Sequence, residues 1–262
     1  MEPKGGRPMS SSEAPSLENQ SIIVTGAAAG LGLAAGELLA KRGAAVTLVD
    51  LNTAKVEAEA KRMADAGLNV DAQVVDLTDR DEVQGLMDGV AQRYGRIDGL
   101  VNLAALYQPC EISEMSVEFW HRIVQSSLDS TFFTCQAALP HMTKAGYGRI
   151  VNTSSGVVLM GGAGWGAYCA AKAGVIGFTR VLAREAGPAG ITANVIMPGL
   201  IATEHALETL DEQAIQVTTA MQCVPRLGEP DDIAHPIAFL LSREAGFISG
   251  QTINVGGGMN YL

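Results

Sequence analysis

Aromatic side chains are scarce in this chain, 5% of 262 residues with two tryptophans among them. Charge is scarce too, at 18% of residues, and its positive share is the smaller: 18 Lys and Arg against 28 Asp and Glu, a formal net charge of −10 at pH 7. So few cations argue against sequence-independent nucleic-acid binding, which works by displacing counterions, and against docking on anionic membranes. No stretch approaches the roughly 20 consecutive apolar residues that cross a bilayer, and the opening residues lack the apolar core of a secretory signal. Cys110, Cys135, Cys169 and Cys223 lie far apart and form no C-x-x-C pair, so neither a zinc site nor a disulfide framework is indicated. The expectation is a cytoplasmic protein with idle thiols and no metal.

What the chain has in quantity is small and aliphatic residues. An apolar content of 47% with 30 glycines suits strands buried on both faces. Residues 1–16, rich in Pro, Gly, Ser and Glu, read as a disordered tail, and residues 17–262 as one domain without an internal linker. In that domain apolar runs and amphipathic segments take turns. A strand over 22–24 precedes a helix over 31–42, then 45–49 precedes 53–66, 70–75 precedes 79–94, and 99–102 precedes a long helix over 117–144. A strand over 149–153 leads to a helix through Tyr168, and strands over 193–196 and 252–255 bring the total to seven. Strict alternation implies right-handed βαβ crossovers, hence an α/β fold: a doubly wound, seven-stranded parallel sheet with helices on both faces.

The chemistry concentrates between Ser155 and Lys172. Tyr168 and Lys172 are four residues apart in Tyr168-Cys169-Ala170-Ala171-Lys172, so on a helix they share one face. Alone, such a pair reads as a surface contact. A fixed ammonium, however, favours phenolate and would lower the Tyr168 pKa from about 10 toward the working range of an acid/base group. Ser155 follows the strand over 149–153 and is delivered to the same cleft, where its hydroxyl would hold the oxygen of a carbonyl or alcohol.

A cofactor half precedes this. Thr25-Gly26-Ala27-Ala28-Ala29-Gly30-Leu31-Gly32 joins the first strand to the first helix, where glycines let backbone approach a pyrophosphate that meets the helix N-terminus. The spacing is not G-x-G-x-x-G. Asp50, at the end of the second strand, would accept hydrogen bonds from ribose hydroxyls and repel a 2′-phosphate, so NAD is expected over NADP. Asp76 is placed for an adenine amino group or for capping the next helix, with Leu77 beside it. Asn102, ending the fourth strand, would line the pocket or bond neighbouring backbone.

Taken together, Thr25-Gly-x-x-x-Gly-x-Gly, Asp50, Asp76, the spacing from Ser155 to Tyr168-x-x-x-Lys172, Asn194-x-x-x-Pro198-Gly199 and Ser249-Gly250-Gln251 resemble the short-chain dehydrogenase/reductase family. The resemblance runs from about Leu17 to the C-terminus. It implies a Rossmann-type sheet and hydride transfer between a nicotinamide and a secondary alcohol or ketone, Ser155, Tyr168 and Lys172 being catalytic. It implies cofactor contacts from Gly26, Gly30, Leu31, Gly32, Asp50, Asp76, Leu77, Asn102, Tyr168, Lys172, Ile201 and Thr203, and a mobile substrate lid over about 200–223. It implies, too, a homotetramer built through the long helices and the C-terminal segment.

Three departures stand out. Asn102-Leu103-Ala104-Ala105 replaces the usual Asn-Asn-Ala-Gly, Gly256 stands where an Asp is common, and Ser127 occupies the place of a catalytic Asn thought to hold a relay water. Ser127 is therefore the fourth candidate catalytic residue, its hydroxyl holding such a water less rigidly. The lid is mostly apolar, with His205, Leu207, Leu210, Ile215 and Met221, and further substrate contacts are expected from Leu106, Tyr107 and the segment from Met160 to Trp165. No Arg or Lys stands in these stretches, which favours a neutral, apolar alcohol. An NADP-linked carbonyl or 3-oxoacyl reductase, and a dinucleotide-binding regulatory protein without catalysis, remain as alternatives.

Overall fold

The structure is a computed structural model that describes residues 16–209 and 211–261. The tail expected over 1–16 thus falls, Ser16 apart, outside the described residues, as do Leu210 and the His205 side chain.

Seven parallel strands form one sheet in the order β3-β2-β1-β4-β5-β6-β7. They are β1 (Ser21–Thr25), β2 (Ala45–Asp50), β3 (Val70–Val74), β4 (Gly99–Asn102), β5 (Gly148–Thr153), β6 (Ile191–Pro198) and β7 (Thr252–Val255). The Val- and Ile-rich interior strands β1, β4, β5 and β6 are buried throughout, whereas edge strand β3 is half open. That is what helices on both faces require. On one face α1 (Gly30–Lys41) and α10 (Pro230–Leu241) pack Leu39, Ile233, Ile237 and Leu241 against Ile22, Val46 and Val151. On the other, α3 (Arg80–Tyr94), α5 (Ser130–Ala145) and α7 (Gly166–Ala186) cover Ile23, Leu100, Ile150 and Ala193 with Val83, Met87, Met142 and Leu182. Between β3 and β2 runs α2 (Thr53–Asp65), with Asn52 as its N-cap.

The strand order reverses between β1 and β4, paired in register from Ile22 with Gly99 to Thr25 with Asn102. A doubly wound sheet opens its ligand crevice at such a reversal, beyond the carboxyl ends of the strands. Thr25, Asp50, Asn102, Thr153 and Pro198 all end their strands on that one edge.

One element differs from expectation. The helix expected over 117–144 is split into α4 (Val117–Val124), a π-helical turn (Gln125–Asp129) and α5. Neither Gly nor Pro stands at the break. Instead, successive hydroxyls donate back one turn, Ser130 to the Ser126 carbonyl at 2.9 Å and Thr131 to that of Ser127 at 2.8 Å. Such back-bonding loosens the i to i−4 ladder. Beyond β6, the expected lid region holds two short helices, α8 (Glu204–Thr209) and α9 (Glu212–Ala220).

Candidate active site

The chain after β5 and the first turns of α7 build the centre of the cleft. Ser154 Oγ donates to the Lys172 carbonyl at 2.9 Å, and Lys172 Nζ donates to the Thr153 carbonyl at 2.9 Å, so strand end and helix are tied twice. Lys172 is 2% exposed and Tyr168 9%, which is unusual for an amine and informative for a phenol. The Lys172 ammonium lies 5.7 Å from the centroid of the Tyr168 ring. Ser155 accepts the backbone N–H of Val157 at 3.3 Å, which orients its hydroxyl at the start of α6 (Val157–Met160).

The electrostatics correct one expectation. Burial pushes the Tyr168 phenol well above its ordinary value, the Ser155 hydroxyl pulls it partly back, and Tyr107 pushes it up again. Lys172 was expected to lower it. Burial instead brings Lys172 itself from 10.5 down to about 8, and its amine points at the Thr153 carbonyl. Desolvation is the largest influence on both groups, and Lys172 is not among those acting on Tyr168. Burial thus favours the neutral phenol at Tyr168.

Ser127 lies in the π turn, fully buried, and its Oγ has no hydrogen-bond partner among the described residues. An orphaned buried hydroxyl is a ready place for a water. That turn packs against α7. A π-helical insertion is also a frequent mark of a functional position.

The second half of the cleft is the turn from β1 to α1. Gly26 and Gly30 have φ of 66° and 55°, the left-handed region where a side chain is strained. A Cβ on Gly26 would come within 2.8 Å of the Ala104 nitrogen, and one on Gly32 within 2.1 Å of the Gly26 carbonyl oxygen. Asp50 accepts the Ala28 N–H at 3.0 Å through one oxygen and the Asn52 N–H at 2.9 Å through the other, bracing the turn. Ala29, the N-cap of α1, supplies no side-chain cap, so no capping side chain occupies the first-turn amides. Thr203 lies over this cradle, its Cγ2 3.3 Å from where a Gly30 Cβ would be.

Gly32→Ala is expected to lower stability by about 1 to 3 kcal/mol, because the overlapping atom is backbone and α1 must shift away from β1. Thermal melting reads the loss. An unchanged melting temperature would mean that the helix start gives way freely.

Residues 26–260 match the family model described as enoyl-(acyl carrier protein) reductase. The chain belongs to the short-chain dehydrogenase/reductase family. It is 40% identical over 244 residues, 93% of this chain and 98% of the relative, to a 3-oxoacyl-[acyl-carrier-protein] reductase of Vibrio cholerae. With a (2S)-[(R)-hydroxy(phenyl)methyl]succinyl-CoA dehydrogenase subunit of Thauera aromatica it shares 38% over 242 residues, 92% of this chain and 97% of that one. Among solved structures it superposes on a putative gluconate dehydrogenase from Agrobacterium tumefaciens with a TM-score of 0.90 at 28% identity, covering 94% of this chain and 98% of that chain. Membership makes the protein an oxidoreductase that uses a nicotinamide dinucleotide. Among the described residues no helix is long and apolar enough to cross a membrane.

Two of the residues expected at the cofactor turn their side chains inward. The Asn102 side chain does not line the pocket. Its amide donates to Asn152 at 2.9 Å and to Cys135 Sγ at 3.6 Å while accepting from Thr134 at 2.9 Å, and Asn152 continues to Thr179 at 3.0 Å. This buried chain ties β4 and β5 to α5 and α7, and no motif in the sequence announces it. Leu77 likewise turns its side chain into the core beside Val49 and Val83, leaving only backbone for a ligand.

Asp76 sits in a turn two residues past β3, with Oδ1 held by Thr78 at 2.9 and 2.7 Å, and Asp79 rather than Asp76 caps α3. Leu31 is half-buried against the α1 core, and Ile201 is buried and paired with Gly228. The Leu103 and Ala104 amides donate to Thr25 Oγ1 at 3.1 and 3.2 Å, so the altered Asn-Leu-Ala-Ala segment is still anchored to the dinucleotide turn.

Proposed function

We propose that the protein is an NAD-dependent oxidoreductase that interconverts a secondary alcohol and its ketone, with Tyr168 as the proton-transfer group. The observation that carries this reading is the burial of Tyr168 and Lys172 together beside Ser155 at the carboxyl edge of the sheet. The glycine turn and the uncapped start of α1 fit a dinucleotide pyrophosphate, and Gly26, Gly30, Leu31, Gly32, Asp50, Ile201 and Thr203 would hold the cofactor. When bound, the cofactor supplies the hydride or accepts it. Tyr168 Oη gives its proton to the carbonyl oxygen on reduction, or receives the hydroxyl proton on oxidation. Ser155 Oγ donates to that same oxygen and stabilises its charge. Lys172 would hold a cofactor ribose hydroxyl and, when protonated, steady the phenolate left on Tyr168. Ser127 holds a water that returns a proton to Lys172, and the segment over 200–223 closes on the substrate.

Asp50 supports NAD over NADP. Its two oxygens already hold the turn, and Lys55, in the first turn of α2, is paired with Glu204 at 3.3 Å. A 2′-phosphate there would meet the Asp50 carboxylate. The expected result is an NADH affinity at least about tenfold tighter than that for NADPH, as a like-charge contact near the surface implies, with the gap narrowed in Asp50→Asn. Fluorescence titration with both cofactors, followed by NADH production from a panel of secondary alcohols, tests the proposal. Equal or tighter NADPH binding would overturn the cofactor assignment.

A 3-oxoacyl thioester is the second reading, favoured by the names of the Vibrio and Thauera relatives, both of which denote thioester substrates. The cleft rim offers little to an anionic carrier, since Arg226 is held bidentately by Asp232 at 2.6 and 2.8 Å. Exposed Phe132 on α5, Val181 on α7 and Phe247 support a homotetramer, and four free cysteines suit a reducing cytoplasm.

A further inference from the structure

The chain that leaves β6 returns to the far side of the sheet. β6 and β2 are four places apart in the strand order, with β5, β4 and β1 between them, which is about 19 Å at the usual strand spacing. Yet Lys55, five residues past the end of β2, and Glu204, six past the end of β6, meet with Nζ and Oε2 3.3 Å apart. The segment over 199–204 therefore runs back along the carboxyl edge as a strap. An extended chain advances at most about 3.3 to 3.6 Å per residue, so most of the segment goes into that crossing and two long side chains close the rest. Thr203 marks the path, its Cγ2 lying over Gly30 at the start of α1. The two ends of the strap are held differently. At its root the Gly199 N–H donates to the Val255 carbonyl at 3.0 Å, the Ala202 N–H to that of Gly228 at 2.8 Å and the Gly228 N–H to that of Leu200 at 3.1 Å. At its tip it reaches α2 through two charged side chains, each more than half exposed.

We propose that Lys55 and Glu204 are positioning residues that latch this strap over a bound nicotinamide dinucleotide and set the rate at which it leaves. The inference rests on the reading of the glycine turn over 26–32 as the dinucleotide cradle, and it adds how that cradle is closed. The ion pair completes a ring made of the strap, the start of α2 and the sheet edge from β2 to β6. Because β1 stands between those two strands, the turn that follows β1 lies within the ring. A molecule seated on the turn is walled by the sheet edge on one side and by the strap on the other, so its release is coupled to opening of the pair. The contact suits a latch better than a permanent tie. An exposed ion pair is weak and screened by salt, so it opens readily, while the backbone bonds at the root keep the strap in place to close again. Lys55 is set to receive it, its own N–H being accepted by the N-cap Asn52 at 3.1 Å.

Glu204→Gln separates the latch from simple charge. The dinucleotide is an anion, so removing a carboxylate from the mouth of the site would by charge alone hold it more tightly. The latch demands the opposite sign. Glu204→Gln in the full chain is expected to release NADH about twofold to fivefold faster than the wild type, the scale of an exposed ion pair, as read by stopped-flow displacement of NADH fluorescence with excess NAD. Lys55→Glu, which sets two carboxylates against each other at the tip, is expected to release it faster still. The double variant carrying Lys55→Glu and Glu204→Lys restores the pair with its charges exchanged, and its release rate is expected to return toward that of the wild type. Release from Glu204→Gln at or below the wild-type rate, or a double variant no slower than Lys55→Glu, would overturn the latch while leaving the dinucleotide site in place. A wild-type protein that bound neither NADH nor NADPH would overturn the cofactor reading and the latch with it.

Discussion

Tyr168→Phe is expected to lower turnover by a factor of about 10² to 10⁴, the usual worth of a positioned acid or base, while leaving the fold and NADH binding in place. The substitution removes one oxygen from a side chain that is 9% exposed and leaves the ring among Tyr107, Trp165 and Lys172. Ser155 keeps its bond from the Val157 N–H and loses only its hydroxyl's contact with the phenol oxygen. Steady-state rates of ketone reduction and alcohol oxidation, with far-UV circular dichroism and NADH titration as controls, separate lost chemistry from lost structure.

The pH dependence adds a second signature. Burial raises the Tyr168 phenol, so reduction, which begins from the protonated form, is expected to run level across neutral pH. Oxidation, which needs the proton gone, is expected to climb as pH rises into the alkaline range. Both features should vanish from the residual activity of Tyr168→Phe. A variant within tenfold of wild type, or one that keeps the alkaline climb, would assign proton transfer to another group.

The alternation of strand and helix was legible in the sequence because it depends on local pattern. Interior strands such as Ile22-Ile23-Val24 and Ile150-Val151 are continuous apolar runs, and α3 carries its own start and stop in Asp79 and Gly95. Short spacings place Tyr168 beside Lys172 and the glycines between β1 and α1, which is where the structure has them. What depended on tertiary burial was not legible. Asn102 reads as a cleft residue because it ends a strand, but Asn152 and Thr134 reach it from elements distant in sequence, with Thr179 bonded to Asn152 behind it. The π turn at Ser127 arises from hydroxyl back-bonding that competes with a helix the pattern favours. The direction of the Tyr168 shift was misjudged for a related reason. Helical spacing shows that an amine stands near a phenol, whereas the depth of burial that shifts both groups appears only when the sheet and α7 are packed together.

Lys172→Met is expected to split stability from activity, because the same burial that suits Lys172 to the site works against folding. Its amine is 2% exposed, and its acceptor in the fold is the Thr153 carbonyl. With the folded-state value at about 8 against 10.5 ordinarily, the unfolded chain binds this proton more tightly than the folded one. Between those two values the unfolded state carries the extra proton, so raising the pH favours folding. Burying the charged amine thus costs about 3 kcal/mol at pH 7 by the size of the shift, and the cost fades from about pH 8 upward. Tyr168 acts with the opposite sign, since its folded-state value is raised, but only above about pH 10, where an unfolded tyrosine ionises. The useful window is therefore pH 8 to 10.

At pH 7 the methionine variant removes the buried charge and leaves the Thr153 carbonyl without its donor, a loss of about 1 kcal/mol. A net gain of about 1 to 2 kcal/mol remains, or roughly 2 to 6 °C in melting temperature for a domain of this size. By pH 10 the difference should have largely closed, and turnover should be down by about two orders of magnitude or more at either pH, as for a missing catalytic partner. Melting curves at fixed protein concentration across pH 7 to 10, with parallel rate measurements, check all three. A variant equally destabilised at both ends of that range would show that Lys172 holds the fold together through contacts independent of its charge. A stabilised but inactive variant would mean that the protein keeps a buried amine against its own stability, for the sake of the proton and the ribose it handles.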